Sequence, residues 1–246
     1  MYINDLHILT YVIVGIIGLI VGQLVDWCNL RLPEYKKVLS RDFFKEYLKN
    51  TKPKYLLMVI VAVAYIALLF FNGLNIDTIQ FMLLIPMLLI AFIIDFRLQI
   101  IPNRLTLTMF EIGLVFTFIK TLLITGGGIN IFIDSMLGML VGGGIFLLIT
   151  LIGGAIAGKE AMGFGDVKFM GALGLFFGWL NIVMISVMAF LFAAIVGIVI
   201  LIARKRKMGE YIPFGPFIVV ASIIPIYIST PDLLFVLLKI FSLGTY

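Results

Sequence analysis

Charge is scarce in this chain of 246 residues: Asp, Glu, Lys and Arg together make 13%, against 63% hydrophobic residues. That balance excludes an ordinary soluble domain. A single cysteine, Cys28, excludes an intrachain disulfide and any multi-cysteine zinc site. A single histidine, His7, cannot build a metal site alone, so no metal is expected. Internal repeats are not apparent. The net charge of +5 calls for no nucleic-acid partner; it is a topology signal with some attraction to anionic lipid.

Long apolar runs fill the space that charge leaves. They cover 8–25, 55–71, 79–94, 105–125, 135–158, 169–203 and 211–231. Most approach the roughly 20 residues that cross a ~30 Å hydrocarbon core. The run 169–203 is too long for one span, and Gly178-Trp179-Leu180-Asn181 offers a turn to split it. The expected fold is an all-α membrane protein, a bundle of about eight transmembrane helices. The stretch 233–241, interrupted by Lys239, reads as interfacial. The first run lacks a basic leader and a cleavage site, so it reads as a retained span. Residues 1–54 form a first span with a short basic segment, and 55–246 a seven-helix core.

Sixteen of the 18 Lys and Arg fall in alternate loops: 31–54, 95–104, 159–168 and 204–207. Those loops are expected in the cytoplasm, and the N-terminus outside. Asp95 and Asp166 then share the cytoplasmic end of the bundle, a placement that made no use of their chemistry. Ionisable groups at such depth are costly without a partner or water. Two carboxylates at one face could form an aspartyl dyad. Glu111, inside the fourth span, is expected to face the bundle interior or water. Pro86 frees a carbonyl in the third span. The segment 34–54 suits an amphipathic surface helix or a solvated loop equally.

Three motifs carry a resemblance. The first is Asp95 with Ile101-Pro102 downstream; the second is Lys159-Glu160-Ala161-Met162-Gly163-Phe164-Gly165-Asp166-Val167-Lys168. The third is Ile212-Pro213-Phe214-Gly215-Pro216-Phe217. In this order, over nearly the whole chain, they resemble the type IV prepilin peptidases, membrane aspartyl proteases with a GxGD motif. The segment from Gly22 to Arg31-Leu32-Pro33 resembles the family's first cytoplasmic loop more loosely.

The resemblance implies Asp95 and Asp166 as the catalytic pair, supported by Gly163, Gly165, Lys168, Glu160 and Pro102. It suggests Arg31, Pro213 and Gly215 for substrate or cofactor binding. Gly163 and Gly165 remove side chains beside Asp166 and would admit an extended peptide. Lys168 either binds a substrate carbonyl or snorkels at a helix start. The implied substrates are prepilin and pseudopilin-like proteins, with a basic leader ahead of an apolar helix, cut at the cytoplasmic face of the plasma membrane. Proteolysis needs no cofactor. Many family members also N-methylate the product with S-adenosylmethionine and carry a domain with two CxxC pairs; residues 31–54 are short and hold no cysteine. That puts the second activity in doubt here without excluding it, S-adenosylmethionine being its cofactor if it is present. Two rival readings use similar acids. A presenilin-like protease shares the dyad, but Ile94 stands before Asp95 where a tyrosine is expected. A proton-coupled transporter would place its acids nearer mid-bilayer.

Overall fold

The computed structural model describes residues 2–3, 6–38, 40, 42–43, 47, 52–124, 127–157, 162–203 and 212–241. It is an all-α membrane protein. A short ribbon, β1 (Tyr2–Ile3) against β2 (Leu6–His7), precedes α1 (Ile8–Arg31). His7 caps α1, its Nδ1 accepting from the Leu9 N–H at 3.2 Å. There follow α2 (Tyr55–Asn72), α3 (Ile76–Leu98), α4 (Asn103–Leu123), α5 (Gly128–Ala157), α6 (Phe164–Ile202), α7 (Gly215–Tyr227) and α8 (Thr230–Phe241). Six of these, α1 to α6, are long and apolar enough to cross a membrane. The chain divides into two compact units, Met1–Arg97 and Leu98–Tyr246.

In the first unit α1 and α2 touch backbone to backbone. A Cβ on Gly22 would lie 2.4 Å from Met58 Cα, so only glycine permits this approach. The turn between α2 and α3 is tied by Asn75, whose Oδ1 accepts from the Thr78 N–H at 2.7 Å. Pro86 stays inside α3. It has no N–H to offer the Met82 carbonyl four residues back, and the Tyr65 hydroxyl of α2 donates to that carbonyl instead.

In the second unit α6 is 39 residues long but not straight, because Gly178 takes φ 76° and ψ 175°. Met170 O and Ile182 Cγ1 both lie within 3 Å of where a Gly142 Cβ would be. Twelve residues of straight helix would separate them by about 18 Å. The helix therefore doubles back at Gly178, where the sequence expects its turn. Both halves pack on α5, with Gly138 against Gly174 and Gly178. Asp134 of α5 braces the reversal, its Oδ1 accepting from the Trp179 N–H at 3.3 Å. The expected span 211–231 is shorter as a helix, 13 residues, since Pro213 and Pro216 hold its start to Gly215 and it ends at Tyr227. Residues 233–241 lie within α8.

Candidate active site

In the first unit, Asp95 sits in the last turn of α3 and is 3% exposed. In the same unit, the end of α1 is occupied by a polar and aromatic cluster. Gln23 Nε2 donates to the Tyr47 hydroxyl at 2.7 Å, and that hydroxyl donates to Asp26 Oδ2 at 2.7 Å. The Lys54 N–H donates to Gln23 Oε1 at 3.1 Å. Trp27 donates through Nε1 to the Val38 carbonyl and packs on the Phe43 and Tyr47 rings. Arg31 is committed inside this cluster. Its Nη2 meets Asp42 Oδ2 at 2.7 Å, its Nη1 donates to the Lys37 carbonyl, and its guanidinium lies 4.1 Å from the Trp27 ring centre. Burial, and then the hydrogen bond to Asp26, push the Tyr47 phenol well above the ordinary tyrosine range.

In the second unit, Asp166 lies in the first turn of α6 and is 4% exposed. Gly163 is the N-cap, and its carbonyl accepts from the Asp166 N–H at 3.0 Å. An acidic side chain suits the partial positive charge of a helix start. The loop that leads into α4 backs this turn: a Cβ on Gly165 would lie 3.3 Å from Ile101 Cβ. Lys168 Nζ donates to Asn103 Oδ1 at 2.9 Å and lies 5.2 Å from the Phe164 ring centre. Pro102 is buried as the N-cap of α4. The Ile101-Pro102-Asn103 turn and the Gly163–Lys168 run are thus brought together.

Pro213 and Gly215 are buried at the start of α7. Between them Phe214 meets Phe190 of α6 and Phe146 of α5, with ring centres 4.9 and 5.8 Å apart. Glu111 is exposed on α4. Glu160, the run 204–207, and residues 44–46 and 48–51 of the expected surface helix lie outside the described residues. Sequence reasoning missed Asn103 and Tyr47; their partners are 65 and 21 to 24 residues away, and no local pattern marks them.

These features define a multi-pass helical membrane protein with a buried aspartate at the end of one helix and another behind a glycine pair. Residues 82–202, which include both aspartates, match the model of the type IV leader peptidase family. It is 31% identical over 141 residues to a prepilin leader peptidase/N-methyltransferase of Aeromonas hydrophila, covering 57% of this chain and 46% of that protein. The protein of the same name from Escherichia coli strain K12 is 31% identical over 132 residues, 54% of this chain and 55% of the relative. That from Pseudomonas putida is 27% identical over 149 residues, 59% and 49% of the two chains. The chain spans about half the length of the curated relatives it matches. No solved structure matches.

Proposed function

We propose that this protein is a prepilin leader peptidase, an aspartic endopeptidase in which Asp95 and Asp166 work as a pair at the cytoplasmic face of the plasma membrane. The observation that carries the reading is the burial of both aspartates within the family-matching segment, one at a helix end and one at a helix start. With one carboxyl ionised and the other protonated, the pair suits peptide hydrolysis. The ionised carboxylate takes a proton from water, and the hydroxide adds to the scissile carbonyl carbon. The protonated carboxyl donates to the carbonyl oxygen. Collapse of the tetrahedral adduct breaks the C–N bond, and the leaving nitrogen takes up the proton. Substrates are prepilin and pseudopilin-like proteins, whose basic leader stays on the side of the membrane where 16 of 18 cations lie.

The relatives' names add N-methyltransferase. S-adenosylmethionine, the donor for that chemistry, carries two positive centres and one carboxylate. Around the end of α1, Lys54 and Arg97 line a pocket with one carboxylate, that of Asp26. Among the described residues this set repels a net cation, so this pocket does not fit the donor. A second, N-methylating activity would bind it elsewhere, and a gain of one methyl group on the cleaved product, dependent on added S-adenosylmethionine, tests for it.

The test is cleavage of a prepilin by purified protein in detergent. Asp95→Asn and Asp166→Asn are each expected to abolish it, since losing acid–base help alone costs about 10²–10⁴-fold. The double variant should be scarcely worse than either single one. Substantial cleavage by either single variant would refute the pair.

A further inference from the structure

We propose that the pocket formed by the C-terminal ends of α1 and α3 and the start of α2 binds an anionic phospholipid, its phosphate between Lys54 and Arg97 and an acyl chain along the apolar wall. The pocket holds about 660 Å³ and lies within the first unit. Leu57, Ile60, Leu89, Phe92, Ile93 and Phe96 supply the wall. The Phe92 and Phe96 rings are parallel, their centres 6.1 Å apart.

Three polar groups on this pocket have unspent hydrogen-bonding capacity. Both amide atoms of Asn29 are buried without a hydrogen-bond partner. A buried amide left so is destabilising unless something completes it. The Lys54 ammonium and the Arg97 guanidinium make no ion pair or hydrogen bond among the described residues. Other cations are engaged: Arg31 by Asp42, Lys36 by Glu34 and Lys168 by Asn103.

The opposing charge is Asp26, whose Oδ2 already accepts from Tyr47. Two cations therefore face one partly engaged carboxylate, which favours an anion. Basic pockets between membrane helices bind phospholipid headgroups in this way. A phosphate accepts from Lys54, Arg97 and the Asn29 amide nitrogen. A headgroup hydroxyl, as in phosphatidylglycerol, can donate to the second oxygen of Asp26. The same balance disfavours the basic leader of a substrate.

The experiment is native mass spectrometry of the full chain in neutral detergent with equal amounts of phosphatidylglycerol and phosphatidylcholine. One phosphatidylglycerol per chain is expected to be retained in preference. The Lys54→Gln/Arg97→Gln variant should hold it about 30-fold more weakly, the worth of two cations at a membrane surface. Asn29→Leu should weaken it too, and Lys37→Gln, whose residue does not line the pocket, should not. Thermal melting in lipid-free detergent should match between the wild type and the charge variant, with added phosphatidylglycerol stabilising the wild type alone. Equal retention of both lipids, or an unchanged charge variant, would overturn the site. So would competition by inorganic phosphate as effective as the lipid's own. A photoreactive residue at Ile60 that captured a prepilin-type helix in place of phosphatidylglycerol would reassign the pocket to substrate.

Discussion

At the scale of single residues, the polar contacts around Lys168 and Tyr47 give separate tests. Lys168 and Asn103 tie the start of α6 to the start of α4 through one exposed hydrogen bond. Such a bond is worth about 1 kcal/mol. Lys168→Met and Asn103→Ala are each expected to slow cleavage a few-fold, and the double variant no further; a double-mutant cycle on kcat reads this directly. Glu111→Gln, on an exposed face, should leave activity unchanged. Tyr47 carries a pH dependence. Its folded phenol holds its proton more tightly than an unfolded one, so its contribution is complete below about pH 10 and is lost as pH rises through the higher folded value. Alkaline melting curves should show that loss, and Tyr47→Phe, less stable at neutral pH, should lack this component of it. None of these pairings was legible beforehand. The sequence marks Asp166 by its glycines and Asp95 by a helix boundary, but Tyr47 meets Gln23 and Asp26 across 24 and 21 positions, a spacing that no local pattern announces.

At the scale of elements, hydropathy located the helices well because a membrane rewards uninterrupted apolar length. The reversal in α6 was equally legible, since 35 apolar residues exceed one crossing and glycine alone takes φ 76° without strain. Its brace was not, because Asp134 sits 45 positions from Trp179, within what reads as the approach to another span. A Cβ on Gly178 would fall 2.0 Å from Asp134 Oδ2. Gly178→Ala should therefore destabilise by about 2 kcal/mol or more, from backbone strain and from this clash. Asp134→Ala should cost about 1 kcal/mol, the worth of a helix cap. In combination they should cost less than their sum, because deleting the carboxylate removes the clash. Thermal unfolding in detergent measures all three. Tyr65→Phe is expected to cost about 1 kcal/mol, by leaving the Met82 carbonyl that Pro86 vacates without its donor.

At the scale of the whole molecule, the proposed orientation follows from cation placement alone. Single cysteines in a Cys28→Ser background, probed with an impermeant thiol reagent on intact cells, test it. Positions 74 and 127 are expected to label, and position 206 only after permeabilisation. Labelling at 206 in intact cells would invert the protein and remove the proposed aspartyl pair from the cytoplasm.

The packing of α5 has a consequence in time as well as in space. The ribosome makes Gly138 and Gly142 before Gly174, Gly178 and Ile182, the partners that later crowd them. Until those residues emerge, α5 must wait in lipid with a bare glycine face. Because α6 returns along α5 with both halves, that face is closed only when the second half has entered. Membrane insertion of α6 as one hairpin would shorten the wait, and a chain stalled shortly after residue 178 should be a ready substrate for membrane quality control.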